Sequence, residues 1–248
     1  MNHVLLITGG SRGIGAATAR LAARRGWAVA VNYASQAAAA DEVVRAITAE
    51  GGRAIAVQGD VGDEAQVLAM FSQVDAELGP LTGLVNNAGV VDMPVRVDEI
   101  TVARLERMLR INVIGSFLCA REAVKRMSTK HGGAGGVIVN LSSAAAKLGS
   151  PGQYVDYAAS KGAIDSFTVG LAKEVAEEGI RVNAVRPGLI DTEIHASGGL
   201  PDRAAQLAPT VPMKRTGSAD EVANAIVWLL SDEASYATAS FIDITGGR

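Results

Sequence analysis

The stretch that most constrains the fold of this 248-residue chain lies near its start. His3-Val4-Leu5-Leu6-Ile7-Thr8 is a short apolar, β-branched run, Gly9-Gly10-Ser11-Arg12-Gly13-Ile14-Gly15 follows at once, and an alanine-rich helical segment continues to about Arg25. Strand, glycine turn and helix in that order predict the first crossover of an α/β sheet. Glycines let the backbone turn sharply and approach a diphosphate, whose charge is stabilised by the free N–H groups and dipole at the helix N-terminus. A tight turn without a ligand would use similar residues, and an ATP-type phosphate loop would share the spacing from Gly10 to Gly15. The ATP-type loop fails, because Ala16-Ala17 stand where lysine and serine or threonine are required.

Strand and helix go on alternating. Ala28 to Tyr33 reads as a second strand, Gln36 to Glu50 as a helix ended by Gly51-Gly52, and Arg53 to Gln58 as a third strand leading into Gly59-Asp60-Val61. A fourth strand ends in Asn86-Asn87-Ala88-Gly89, a small polar turn suited to close approach of a cofactor. A helical region from Asp98 to Met127 and a glycine turn precede the fifth strand, Val137 to Leu141, which delivers Ser142-Ser143. A helix over 153–178, a sixth strand running into Arg186-Pro187-Gly188, a helix from about Ala219 to Leu230 and a strand at Ser240 to Ile244 complete the pattern. The expectation is one Rossmann-like, doubly wound α/β domain with a parallel seven-stranded sheet ordered 3-2-1-4-5-6-7. Its ligands would gather outside the strands' carboxyl ends. Residues from about 190 to 215 are rich in glycine, proline and small side chains without a strong period, and read as a mobile substrate lid.

Charge and cysteine usage narrow the partners. With 23 basic against 26 acidic residues and no long like-charge block, the chain shows no footprint for nucleic acid or an anionic membrane. No apolar run approaches the ~18 residues of a membrane span, and no basic leader precedes the first strand. Cys119 is the only cysteine, which excludes an internal disulfide and a cysteine-based zinc site and fits a reducing compartment. His131 has no nearby partner with which to close a metal site. A small-molecule partner and a cytoplasmic address are therefore expected, with no metal.

The candidate chemistry centres on Tyr157-Ala158-Ala159-Ser160-Lys161, which puts a phenol and an ammonium on one helix face. A nearby cation stabilises phenolate, so the pair suits general acid/base work, although tyrosine and lysine at that spacing are also common bystanders. Tyr154 lacks a cation in the same relation, since Ala158 follows it by one turn. At the end of the second strand, Asn32, Tyr33, Ala34 and Ser35 include no carboxylate to hold the ribose 2′-hydroxyl of NAD or to repel a 2′-phosphate. Arg12 stands ready to neutralise such a phosphate. Asp60 lies at a strand's carboxyl end, where it would flank a ligand or cap the next helix. Arg121, Lys125 and Arg126 read as a solvated face near a helix C-terminus.

Taken together, four motifs resemble those of the short-chain dehydrogenase/reductase family over essentially the whole chain. The family's Thr-Gly-x-x-x-Gly-x-Gly loop is matched by Thr8, Gly9, Gly13 and Gly15, and its Asn-Asn-Ala-Gly by Asn86 to Gly89. Its Tyr-x-x-x-Lys is matched by Tyr157 and Lys161, and the turn after strand six by Pro187-Gly188. The resemblance implies hydride transfer between a nicotinamide and a carbonyl or secondary alcohol. It makes Tyr157 the acid/base, Lys161 the residue that holds the ribose and lowers the tyrosine pKa, and Ser143 the substrate's hydrogen-bonding partner, with Ser142 as the alternative. Asn112 would hold a water in the relay to Lys161. Ser11, Ile14, Asn32, Asp60, Val61, Asn87, Ala88 and Gly89 would line the cofactor, and Ile190 and Thr192 its nicotinamide end. With Arg12 and the missing acid, NADP is expected ahead of NAD. A 3-oxoacyl-thioester reductase, a sugar or polyol dehydrogenase and a non-enzymatic NADP-binding regulator all remain open, with the first favoured because an NADP-type loop suits reduction. A serine hydrolase does not fit, since no Gly-x-Ser-x-Gly elbow is present and His3, His131 and His195 have no triad context. A homotetramer paired through the helices around Asn112 and Tyr157 is also implied.

Overall fold

A computed structural model of the protein describes residues 3–192, 199 and 202–248. Seven strands, β1 (Val4–Ile7), β2 (Ala28–Tyr33), β3 (Ala54–Gln58), β4 (Gly83–Asn86), β5 (Gly136–Leu141), β6 (Ile180–Pro187) and β7 (Phe241–Ile244), pair in parallel in the order β3-β2-β1-β4-β5-β6-β7. This is the expected sheet. Its central strands are almost continuously apolar because helices cover both faces.

Side chains alternate across each strand, so β1 sends Leu5 and Ile7 to one face and Val4 and Leu6 to the other. On the first face they join Val29, Val31 and Val139 beneath α1 (Gly13–Arg24), α2 (Ala37–Ala49) and a late helix over Ala219–Leu230. On the second face Ala30, Leu84 and Ile138 pack against α3 (Glu64–Glu77), against a helix over Gly115–Met127 through Cys119 and Met127, and against one over Val155–Val175 through Ala172. The chain leaves β1 in one direction towards β3 and returns to pair β4 on β1's other side, which opens a crevice at the carboxyl ends of β1 and β4.

Two sequence expectations need correction. The helical region before Met127 is divided into α4 (Val102–Leu109), a π turn over Arg110–Ile114 and α5 (Gly115–Met127). The cations Arg121, Lys125 and Arg126 are not a freely solvated face, because all three converge on the buried carboxylate of Glu122. Arg126 also pairs with Asp75 and lies over the Phe71 ring, so it joins α5 to α3. Within the segment expected to act as a lid, after α6 (Ala145–Leu148) and α7 (Val155–Val175), a short α8 (Arg203–Leu207) places Ala204 beside Val211 and Leu189. A five-residue helix is too short to display a period. Residues 193–198, 200 and 201, including His195, lie outside the described residues. The late helix, α9 (Ala219–Leu230), has the expected bounds, and Ser218 with Glu221 forms its capping box.

Candidate active site

One end of the crevice is built from backbone. Gly9 and Gly13 adopt left-handed φ values of 60° and 50°, which only glycine takes readily. Gly15 is required for a different reason: a Cβ there would lie 2.5 Å from the Gly9 carbonyl oxygen and 2.6 Å from Asn87 Nδ2. The loop is thereby pressed against the turn after β4. Arg12 is the extended N-cap of α1, no side chain caps the helix, and its first turn contains no acid. Unfilled N–H groups and a positive helix end facing a cleft fit a diphosphate, so this cradle suits a dinucleotide.

Polar side chains fix that cradle from behind. Thr8 Oγ1 accepts from the N–H groups of Asn87 and Ala88, both at 3.0 Å. Asn87 Nδ2 donates to the carbonyls of Thr8 and Gly9 at 2.8 and 2.9 Å. Asn32 has little left for a ribose: its Oδ1 accepts from Gly9 N, and its Nδ2 donates to the carbonyls of Val57 and Gly59. It ties the glycine loop to the end of β3. Ser11, Arg12, Val61, Ala88 and Thr192 line the same cleft. Asp60 lines it too, with one carboxylate oxygen on Gly62 N at 2.9 Å and the other on Arg110 at 3.1 Å. The cap of α3 falls instead to Asp63, whose carboxylate accepts from Gln66 N.

At the other end, β5 and α7 bring the titratable groups together. Tyr157, Lys161, Ser142 and Ser143 line one cleft with Ile14, Asn87 and Gly89. Ser143 is the serine that reaches the Tyr157 hydroxyl, while it accepts from Ala145 N at 3.1 Å. Ser142 is buried and donates to the Lys161 carbonyl at 3.2 Å. Lys161 is also buried, its Nζ donating to the Leu141 carbonyl at 2.7 Å, and burial lowers its pKa to about 8 against a smaller opposing pull from Asp165. The tyrosine does not follow the expectation of a lowered pKa. Burial pushes the Tyr157 phenol up, its bond with Ser143 works the other way, and Lys161 Nζ stands 5.8 Å from the ring centre. A protonated phenol at neutral pH is the result.

Asn112 sits in the π turn, fully buried. Its Oδ1 accepts from Val90 N at 2.8 Å and its Nδ2 donates to Val90 O at 3.0 Å and Ser160 Oγ at 3.1 Å. A Cβ on Gly89 would lie 3.4 Å from Asn112 Oδ1 and 3.5 Å from Lys161 Nζ, so both groups converge on the turn after β4. Pro187 ends β6 and Gly188 follows it in the same cleft, and Gly188 is pressed so closely on Thr245 that a Cβ would come within 2.7 Å of its Cα. Ile190 is buried there, bridged to Gly217.

Sequence reasoning missed several participants. Arg104 forks onto Asp156 at 2.7 and 3.2 Å and donates to the Met93 carbonyl, joining α4, the loop after Val90 and the first turn of α7. Asp156 also accepts from the Tyr157 backbone N–H, which supplies the helix with a cap that Tyr154 does not. Nothing in the spacing of residues 104 and 156 shows such a pair. Tyr154 itself is buried on the cleft wall with Leu148 and Leu189, and Arg248 reaches it from the last residues of the chain.

Comparison with known proteins agrees with this geometry. The family model described as enoyl-(acyl carrier protein) reductase matches residues 9–248. The uncharacterized oxidoreductase YgfF of Escherichia coli is 59% identical over 99% of both chains. The 3-oxoacyl-(acyl-carrier-protein) reductase FabG of Staphylococcus aureus is 37% identical over 100% of this chain and 98% of its own. Among solved structures, a short-chain dehydrogenase/reductase from Serratia marcescens superimposes with a TM-score of 0.90 at 35% identity, covering 99% of this chain and 97% of the other. A blue fluorescent protein from a metagenomic library, solved with NADPH, gives a TM-score of 0.90 at 34% identity with the same coverage. Similarity of this extent, carried by a sheet order and a cleft that the sequence motifs already required, makes the chain an oxidoreductase belonging to the short-chain dehydrogenase/reductase family.

Proposed function

We propose that the chain is an NADP(H)-dependent reductase of a ketone, acting in reverse on the secondary alcohol, with 3-oxoacyl compounds as its favoured substrates. The observation that carries this reading is the convergence of Ser143, Tyr157 and Lys161 in a cleft continuous with an uncapped, glycine-lined helix start. When bound, the nicotinamide would supply or accept the hydride. Ser143 would hydrogen-bond the substrate oxygen, and Tyr157, protonated at neutral pH because burial raises its pKa, would donate the proton as that oxygen gains charge. Lys161, with three donor hydrogens and one recorded bond to Leu141, has capacity left for a ribose hydroxyl. Asn112 would fix the Val90 turn beside Lys161 and hold the relay water there. Gly9, Ser11, Gly13, Ile14, Gly15, Asp60, Val61, Asn87, Ala88, Gly89, Pro187, Gly188, Ile190 and Thr192 would form the cofactor's walls.

The preference for NADP rests on Arg12, an exposed guanidinium without an ion-pair partner among the described residues, beside a β2 end lined by Asn32, Tyr33, Ala34 and Ser35. Asp60, the nearest cleft carboxylate, is already neutralised by Arg110. The relative solved with NADPH supports the same choice, and the relative named as a 3-oxoacyl-(acyl-carrier-protein) reductase supports the substrate class. Exposed Leu105, Leu109, Ile114 and Phe117 on α4, the π turn and α5 would pair subunits into a homotetramer, which sedimentation at low micromolar concentration would show as four subunits against a persistent monomer. The central test is loss of reduced-nicotinamide absorbance with 3-oxoacyl thioesters and simple ketones, using each cofactor. A higher kcat/KM with NADPH, reduced about tenfold or more by Arg12→Ala, is expected from loss of a charge-assisted contact. A clear preference for NADH would overturn the cofactor reading.

A further inference from the structure

The Tyr157 end of the cleft is lined by two cationic side chains and, among the described residues, by no acidic side chain. One cation, Lys161, is buried and bonded to the Leu141 carbonyl. The other is Arg248, whose guanidinium makes no hydrogen bond or ion pair among the described residues, unlike the basic residues of α6 and β6. Lys147 pairs with Asp243, and Arg186 with Asp165 and Asp243. The rest of the wall near α6 is neutral: Ala144, Ala145, Leu148, Ser150 and Leu189.

The approach of Arg248 is built into the chain. After β7, Gly246 and Gly247 take left-handed φ values of 64° and 93°, a turn that two side-chain-bearing residues would not make without strain. The segment is wedged as well as turned. Met213 N donates to Gly246 O at 3.1 Å, a Cβ on Gly246 would lie 2.8 Å from Val211 Cγ1, and one on Gly247 would lie 3.1 Å from Pro212. The same 211–213 segment carries the side chain of Val211, which packs with Leu189 on the cleft wall. Gly246 and Gly247 are thus fixed against the 211–213 segment that backs the Leu189 side of the cleft wall.

An exposed guanidinium without a described partner, at the rim of a cleft end that has no acidic side chain, favours an anion, because the local potential there is positive. We propose that Arg248 is a specificity-determining residue that binds a carboxylate on the substrate, so that the enzyme's preferred ketones are oxo acids. The inference rests on the carbonyl-reductase reading above and narrows its substrate class. A carboxylate is favoured over the more distant phosphate of a carrier thioester because Arg248 lines the same cleft as Ser143 and Tyr157. Arginine's planar fork matches a carboxylate in two-point geometry, a contact that the corresponding ester cannot make in full.

The test compares 3-oxobutanoate, 4-oxopentanoate and 5-oxohexanoate with their ethyl esters, and the 3-oxobutanoyl thioester of coenzyme A with that of N-acetylcysteamine, all with NADPH. For the wild type, at least one acid is expected to exceed its ester in kcat/KM, and Arg248→Gln should reduce that ratio about tenfold or more through the KM of the acid. Rates on esters should stay within about twofold, since the side chain contributes nothing to a neutral ligand there. Arg248→Lys should restore part of the preference, and 0.5 M salt should erode it. Gln at 248 leaves the main chain and both glycines in place, so folding is preserved. Ester reduction with no preference for any acid, or an acid-to-ester ratio unmoved by Arg248→Gln, overturns the carboxylate assignment and leaves the reductase reading standing. A change confined to the coenzyme A pair overturns it in favour of a phosphate. Failure of the wild type to reduce any of the compounds overturns both.

Discussion

The two ends of the cleft treat polar side chains in opposite ways. At the glycine-loop end, Thr8, Asn32 and Asn87 are engaged with the backbone of their neighbours, so what faces the cleft is main chain held in place. At the β5–α7 end, Lys161 Nζ has three donor hydrogens and, among the described residues, one hydrogen bond, to the Leu141 carbonyl, and the Tyr157 hydroxyl bonds Ser143. A surface that binds a diphosphate works best when it does not move. A surface that passes a proton needs groups with hydrogen-bonding capacity in reserve, and their incomplete satisfaction costs stability.

The largest expected effect isolates the second end. Tyr157→Phe should lower kcat by a factor of roughly 10²–10⁴, the usual worth of a positioned proton donor, while Tm and NADPH affinity stay at wild-type values. Turnover at the wild-type rate would remove the contrast altogether, because the phenol would then be scaffold. Next comes Lys161. Its folded-state pKa of about 8 lies below the ordinary value of 10.5, so between those pH values the unfolded chain holds more protons than the folded one. Stability therefore rises with pH across that window, by up to about 3 kcal/mol, and the cost of burying the charge is fully present below pH 8. Lys161→Met should remove this rise, which urea titrations at either side of the window would measure as a narrowing gap between variant and wild type at high pH.

A smaller effect is expected at the opposite end. Gly15→Ala forces the Gly9 carbonyl and Asn87 amide apart, at a cost of about 1–3 kcal/mol for overpacking, seen as a lower Tm and weaker NADPH binding. Its kcat at saturating cofactor should change far less than that of Tyr157→Phe; the reverse order would show that the two ends are not separable. Tyr154→Phe sharpens the comparison most gently. It removes a hydroxyl from a buried residue that lines the same cleft as Tyr157, and turnover within about threefold of wild type is expected for loss of one ordinary hydrogen bond.

The sheet was legible in the sequence because parallel strands buried on both faces are apolar runs, and the runs at Val4–Ile7 and Val137–Leu141 admit no other reading beside their glycine turns. The Tyr157 and Lys161 pair was legible for a similar reason: one helix turn fixes their relation locally. Contacts that depend on distant segments were not. Arg104 and Asp156 meet only because α4 and α7 pack together, and Arg126 reaches Asp75 and the Phe71 ring only because α5 lies on α3. The tyrosine pKa failed for the same cause, since spacing supplied the cation but not the depth of burial.

The π turn at Arg110–Ile114 sets a phase. Each residue of a regular helix advances the facing direction by about 100°, and the wide turn inserts one residue's advance between α4 and α5. Shortening this turn by one residue would keep the chemical identity of every cleft side chain while swinging α5 out of step with α4. Arg104 would still point at Asp156, but Asn112 would let go of Val90, and the loop between them would be held at one end only. For this stretch of chain, residue count matters as much as residue type.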